Sequence, residues 1–335
     1  MKKFIIVLGF GRSGTTWISD MISKMNGRLI LFEPFHPSVT HLSQRIAYTP
    51  VDRGIEGYLI AQLLTDVLTK RHKKLWLLRN HVPTKLEEVS QSFVATLWNE
   101  CDILGFKEIR ANFMIEWFAS WLDAKIVFVI RHPCAVVASI KNRTNFWEFG
   151  WPRTYHLFLK RTIFNPKYDK HPIAEFRPFV MALREDIQKY AVMWAITHAI
   201  ALPELRQLRI PLFFYEDFYQ DPFQSARKLS TYLGNPEINI HPAHIFTPSM
   251  TTLKTFHGIS GMEDQISAKG PAIFWEGALT DLEVRKTLDI VNLFGIDLYD
   301  RTGLRDQQPL ADDGFDLPIA SYENTQNTIP VSQVI

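Results

Sequence analysis

The sequence predicts an α/β fold of the P-loop type, a three-layer sandwich whose central parallel sheet carries helices on both faces. Three observations predict it. Short, mostly apolar runs recur along the chain, as strands buried on both faces require. Amphipathic runs of helical period stand between them, so strand and helix alternate. The first apolar run also ends in a glycine-rich turn that opens directly into an amphipathic run, the strand–loop–helix order of a phosphate-binding loop.

The strand candidates are 3–8, 28–32, 103–109, 125–130 and 210–215. The helix candidates between them are 15–26, 55–71, 112–121, 133–142 and 184–206. Pro133 stands in the first turn of its helix, where a missing N–H is tolerated. Asp221-Pro222 start a further helix to about Leu233, which Gly234-Asn235 end, and a last helix covers about 280–293. Two stretches break the alternation. Residues 144–180 are rich in aromatics, prolines and cations, among them Trp147, Trp151, Arg153, Tyr155 and His156. Such an insertion is either a lid or binding element or a packed surface excursion. Residues 301–335 form a polar tail expected to be weakly ordered, which leaves 1–300 as a single domain. There is no internal repeat.

Composition narrows the function. A chain of 335 residues, 46% apolar and 21% charged, is ordinary for a soluble globular protein. A net charge of +2 provides no broad basic surface for nucleic acid. Cys101 and Cys134 make neither a disulfide framework nor a zinc set, and a reducing compartment is the simplest reading. No apolar run approaches the roughly 18 residues of a membrane span. The opening Met-Lys-Lys-Phe-Ile-Ile-Val-Leu stops at glycine and Arg12 without a small-residue cleavage site. It therefore reads as a strand, and the protein as cytoplasmic.

The chemistry concentrates in Gly9-Phe10-Gly11-Arg12-Ser13-Gly14-Thr15-Thr16-Trp17. Gly9 and Gly14 have the spacing of an ATP-type loop, but Thr15-Thr16 stand where lysine and a hydroxyl residue belong. Backbone N–H groups at a helix start attract an anion, Arg12 adds a charge, and Ser13, Thr15 and Thr16 add hydroxyls. A tight strand-to-helix turn without ligand is the bland alternative. A second constellation is Ile130-Arg131-His132-Pro133, running on to Ser139. Arg131 follows a buried strand, at the carboxyl end where ligands of open α/β sheets bind, and an arginine with a helix serine suits a second phosphate. Alone, Arg131 is equally a surface charge beside a helix.

These segments resemble the sulfotransferases that use 3′-phosphoadenosine 5′-phosphosulfate (PAPS). Gly11, Arg12, Ser13, Gly14, Thr15, Thr16 and Trp17 look like their 5′-phosphosulfate loop. Arg131 through Ser139 look like their 3′-phosphate site. Phe214-Tyr215-Glu216-Asp217 resembles a third segment, in which the tyrosine lies near adenine. The resemblance covers roughly residues 4–295. It implies sulfuryl transfer from PAPS to a hydroxyl, with no required metal and adenosine 3′,5′-bisphosphate (PAP) as product. Arg12 would take charge building on the oxygen between sulfur and phosphorus. Lys107 matches a family lysine near the sulfuryl group, with Arg110 on the same strand end.

For the base, Phe32-Glu33-Pro34 resembles a segment of carbohydrate sulfotransferases, and Glu33 is the favoured candidate; the structural alternative is a salt-bridge or cap carboxylate. His36 is a weaker candidate. His81 superficially resembles the catalytic histidine of cytosolic family members but stands 50 residues before Arg131, too far for that segment. Ser267-Ala268-Lys269-Gly270 is a weak match to a late basic loop, and Trp275 reads as a core or helix-start residue. The implied acceptor is a hydroxyl on a glycan, glycolipid or small metabolite. Two alternatives stand beside this reading: a P-loop small-molecule kinase, and a PAPS- or PAP-binding module without turnover.

Overall fold

The structure is a computed structural model that describes residues 3–25, 28–36, 39, 41–51, 55–68, 101–141, 152–234 and 274–301. His81, Trp147, Trp151, the 267–270 segment and the tail beyond Arg301 lie outside the described residues.

Five strands, β1 (Lys3–Leu8), β2 (Arg28–Phe32), β3 (Ile103–Glu108), β4 (Lys125–Ile130) and β5 (Leu212–Phe214), form one sheet. Its order is β2-β3-β1-β4-β5, and every pairing is parallel. The described helices are α1 (Thr15–Ser23), α2 (His41–Ile46), α3 (Ile55–Leu68), α4 (Ile115–Leu122), α5 (Pro133–Lys141), α6 (Pro152–Arg161), α7 (Arg177–Ala182), α8 (Asp186–Gln207), α9 (Tyr215–Gln220), α10 (Pro222–Tyr232) and α11 (Asp281–Leu293).

The chain divides into two compact units, one of residues 1–130 and 212–254, the other of 131–211 and 255–335. The first holds the sheet, and its strands are buried on both faces, which is why they read as unbroken apolar runs. On one face Ile5, Val7, Ile30, Val127 and Val129 pack against Ile18, Met21 and Ile22 of α1 and against Phe218 and Leu229 of α9 and α10. On the other, Phe106 meets Phe118 of α4 at 5.4 Å and Phe35 at 5.9 Å between ring centroids. Gly105 of β3 pairs with Ile5 of β1, and a Cβ there would come within 2.0 Å of the Ile5 carbonyl oxygen.

Several elements differ from their expected bounds: β3 ends at Glu108 rather than 109, α1 at Ser23 rather than 26, and α8 covers Asp186–Gln207 rather than 184–206, while β5 and α4 differ for a visible reason. β5 is shorter than 210–215 because the Ile210 N–H turns back to the Leu205 carbonyl and Tyr215 already begins α9, with Glu216 and Asp217 favourably placed in its first turn. The helix expected from 112 begins at Ile115. Residues 111–114 form a turn instead, closed by the Met114 N–H on Ala111, and the Asn112 side chain is engaged elsewhere.

In the second unit, α5 and α11 pack on α8, whose residues 190–201 are buried throughout. Thr280 and Glu283 form a reciprocal capping box at the start of α11, and Glu283 also holds Lys141 at the end of α5 (2.8 Å). The described part of the 144–180 insertion carries buried residues of its own. After α6 come two short 3₁₀ turns, Pro166–Tyr168 and Pro172–Phe176, each opened by proline and capped by the preceding side chain, Asn165 or His171. Phe158 and Ile163 are fully buried, and the Tyr155 hydroxyl donates to the Val180 carbonyl. Among the described residues no helix is long and apolar enough to cross a membrane.

Candidate active site

Residues 9–14 link β1 to α1 through a backbone that only particular residues tolerate. Gly9 has φ +150°, and a Cβ on it would meet the Val129 carbonyl oxygen at 2.3 Å. Gly14 has φ +85°, and a Cβ on it would meet the Tyr215 ring at 2.3 Å. Between them Arg12 takes the left-handed conformation at φ +73°, a strain of the kind that clusters at ligand sites. The Ser13 N–H closes a turn on the Phe10 carbonyl, and the Ile18 N–H makes the first helical bond, to Gly14. By the geometry of any helix start, the N–H groups of the first turn have no acceptor within α1. Ser13 is wholly buried, yet its hydroxyl has no hydrogen-bond partner among the described residues. A buried hydroxyl left so is costly, and an anionic oxygen in the loop would satisfy it. Thr15 and Thr16 are buried at the start of α1, Gly11 is buried, and Arg12 is half-buried.

Tyr215 closes the loop from the side. Its ring covers Gly14 and lies edge-on to Trp17 at 5.7 Å. Trp17 in turn meets Phe218 at 6.2 Å.

The carboxyl ends of β2 and β3 carry a buried charge cluster. Glu33 follows β2 in the left-handed conformation (φ +44°), and its N–H extends the ladder by one bond to the Lys107 carbonyl (2.8 Å). One carboxylate oxygen pairs with Lys107 Nζ, the other with Arg110 Nη1 at 3.0 Å. Arg110 Nη1 also reaches Glu108 Oε1 at 3.3 Å. Glu108 accepts the N–H groups of Phe35 (2.7 Å), Ile109 (2.8 Å) and Arg110 (3.1 Å). All four residues are buried, none more than 5% exposed. Burial alone would raise Glu33, but Lys107 and Arg110 outweigh it and hold the carboxyl down at about 2. Burial pushes Glu108 up to about 7, and the neighbouring Glu33 works in the same direction against Arg110. His36 enters this turn through its backbone, its N–H donating to the Glu33 carbonyl.

In the second unit, Arg131 is the first residue after β4, and its carbonyl accepts the Trp194 indole N–H at 3.2 Å. His132 caps α5, its Nδ1 accepting the Cys134 N–H, while Nε2 donates to the Asp300 carbonyl at 2.9 Å. The ring stacks on Trp275 at 4.9 Å, so Trp275 is a core residue here, and burial pushes His132 down to about 4. The imidazole is therefore neutral and structural. Ser139 lies two turns into α5 and is 7% exposed.

The family model described as "Sulfotransferase family" matches residues 5–238. The chain belongs to the sulfotransferase family. Solved structures similar to it are a sulfotransferase domain from the curacin biosynthetic pathway, a sulfotransferase domain from the olefin synthase of Synechococcus PCC 7002, and a sulfotransferase from Mycobacterium avium. The first is 14% identical with a TM-score of 0.40, covering 74% of this chain and 79% of the other. The second is 14% identical with a TM-score of 0.41, covering 89% and 98%. The third is 13% identical with a TM-score of 0.36, covering 73% and 67%. A search of curated proteins gave no match.

The first unit of this sulfotransferase thus brings together Glu33, Lys107 and Arg110, as well as Gly14, Trp17 and Tyr215. Sequence reasoning missed two members. Glu108 hides inside an apolar-looking strand, and Asn112 sits in a segment that reads as helix. Both stand at the carboxyl end of β3, beside the strand that carries the loop, and that position is the signal that finds them. Among the described residues no group of three or more His, Cys, Asp or Glu side chains is placed to hold a metal ion.

Proposed function

We propose that this sulfotransferase takes PAPS as donor and passes the sulfuryl group to a hydroxyl of a carbohydrate or glycoconjugate, with Glu33 as general base. The observation that carries the donor assignment is the loop itself: no side chain fits at Gly9 or Gly14, and the buried Ser13 hydroxyl lacks a partner among the described residues. PAPS supplies an activated sulfuryl group on a phosphate leaving group. The chain supplies the rest. Loop N–H groups and the hydroxyls of Ser13, Thr15 and Thr16 hold anionic oxygens, and Trp17 and Tyr215 wall the loop. Arg12 and Lys107 stabilise the charge that the leaving oxygen gains.

Glu33 is ionised throughout the neutral range, as a base must be, but two cations make it a weak one. A donor anion bound within reach of Lys107 would compete with Glu33 for it. Drawing that ammonium aside strengthens the carboxylate as a proton acceptor, so base strength would rise once the donor is seated. The Phe32-Glu33-Pro34 resemblance supports a sugar hydroxyl as acceptor. The two buried free thiols, Cys101 and Cys134, are in keeping with a reducing, cytoplasmic setting.

The acceptor is tested by a screen with ³⁵S-labelled PAPS against oligosaccharides, glycolipids and phenols. Label on a sugar hydroxyl supports the reading; label on phenols alone overturns the acceptor class, and no transfer to any class favours a binding module without turnover. The resemblance assigns the 3′-phosphate to Arg131 and Ser139. Arg131→Ala is accordingly expected to weaken PAP binding by about 10–100-fold, as loss of a charge-assisted hydrogen bond does. AMP, which lacks that phosphate, should bind the variant and the wild type alike in a calorimetric titration. Equal losses for both nucleotides would remove Arg131 from that role.

A further inference from the structure

β1 ends at Leu8, the last residue paired with both β3 and β4. Gly9 therefore begins the loop with an N–H and a carbonyl beyond the sheet. Both are taken by one side chain. The Gly9 N–H donates to Asn112 Oδ1 at 2.9 Å, and Asn112 Nδ2 donates to the Gly9 carbonyl at 3.2 Å. The same Nδ2 donates to the Ile109 carbonyl at 2.9 Å, which fixes the amide within its own turn. Asn112 is 1% exposed, and 103 residues separate it from Gly9. On its other side Gly9 lies against the Val129 carbonyl so closely that no Cβ fits.

We propose that Asn112 is a positioning residue for the donor loop, its amide standing in for a neighbouring strand and setting the Gly9 peptide from which residues 10–14 depart. The turn that carries it does two jobs. Arg110, two residues earlier, holds Glu33, and Glu108 fastens the turn through the Ile109 and Arg110 N–H groups. The loop and the candidate base are thereby hung from one short segment, Ile109–Asn112, at the end of β3. An amide is the group this place needs. It offers an acceptor to one backbone N–H and a donor to two carbonyls at once. Aspartate, of the same shape, turns lone pairs toward both carbonyls, and serine is too short to serve both sides of the Gly9 peptide.

The test compares Asn112→Asp and Asn112→Ser with Leu229→Ala, a cavity variant in the core beneath α10. The first readout is amide hydrogen exchange over residues 9–17 of the full chain without ligand. The second is the Kd for PAP. Both Asn112 variants are expected to speed loop exchange and weaken PAP binding by about tenfold or more, the size of a lost buried hydrogen bond. Leu229→Ala lowers the melting temperature with a smaller effect on both loop readouts, which sets the level that a general loss of packing produces. The affinity arm rests on the donor reading above, whereas the exchange arm does not. A wild type that fails to bind PAP counts against the donor, and exchange then decides Asn112 alone. Loop exchange in the Asn112 variants no faster than in Leu229→Ala overturns the proposal.

Discussion

Glu33→Gln is expected to lower turnover at least about 100-fold, the lower range of what a positioned general base contributes, while PAP still binds. The substitution keeps shape and one carbonyl oxygen but removes the ability to take a proton. It also takes from Lys107 the carboxylate it pairs with, while Arg110 keeps its contact with Glu108. Removing one partner of a buried pair typically costs about 3–5 kcal/mol, so some loss of stability accompanies the loss of activity. The two are separated by measuring kcat and PAP affinity on the folded fraction, well below the variant's melting temperature. Turnover that survives unchanged would return Glu33 to a purely structural salt bridge.

Lys107→Met carries the second large effect. If the lysine stabilises charge on the leaving oxygen, kcat should fall about 100–1000-fold, as when one preorganised donor is deleted from an active site. The pH profile gives an independent reading. Burial raises Glu33, and Lys107 and Arg110 together bring it down to about 2. Without Lys107, burial is opposed by Arg110 alone, and the carboxyl must titrate at higher pH. Glu33 then protonates earlier on acidification, so the acid limb of kcat/KM moves upward. The stability sign runs the same way. A depressed carboxyl stabilises the fold above its unfolded value and loses that contribution as pH falls through its folded value. In the wild type that loss comes near pH 2 and in Lys107→Met at higher pH. A variant with full kcat and an unmoved acid limb contradicts both roles.

Much of the sheet was legible because parallel strands buried on both faces leave unbroken apolar runs. Lys3–Leu8, Arg28–Phe32 and Lys125–Ile130 emerge with their expected bounds. Two of the misplaced boundaries have local causes. At Tyr215 a helix start overrides an apolar strand pattern, and at Asn112 a side chain bonded to Gly9 breaks a pattern that is helical by composition. The glycine-rich loop was readable from spacing, since its glycines are dictated by local backbone angles. The charge cluster was not. Glu33 and Lys107 are 74 residues apart, and only the adjacency of β2 and β3 brings them together. Glu33 and Lys107 each drew attention as a residue near a strand end; that they hold one another, with Glu108 and Arg110 alongside, is a consequence of strand order. Of the two readings kept open for Glu33, the salt-bridge carboxylate is the one the geometry displays, and the base belongs to the proposed function.

The central claim is that the loop after β1 seats a nucleotide phosphorylated at both ends rather than a magnesium triphosphate. Calorimetric titration of the full-length chain with PAP, and separately with ATP in the presence of magnesium, tests it without knowledge of the acceptor. PAP is expected to bind in the absence of magnesium, with ATP weaker by about tenfold or more, a difference of about 1.4 kcal/mol. Tight magnesium-dependent binding of ATP with no binding of PAP would contradict it.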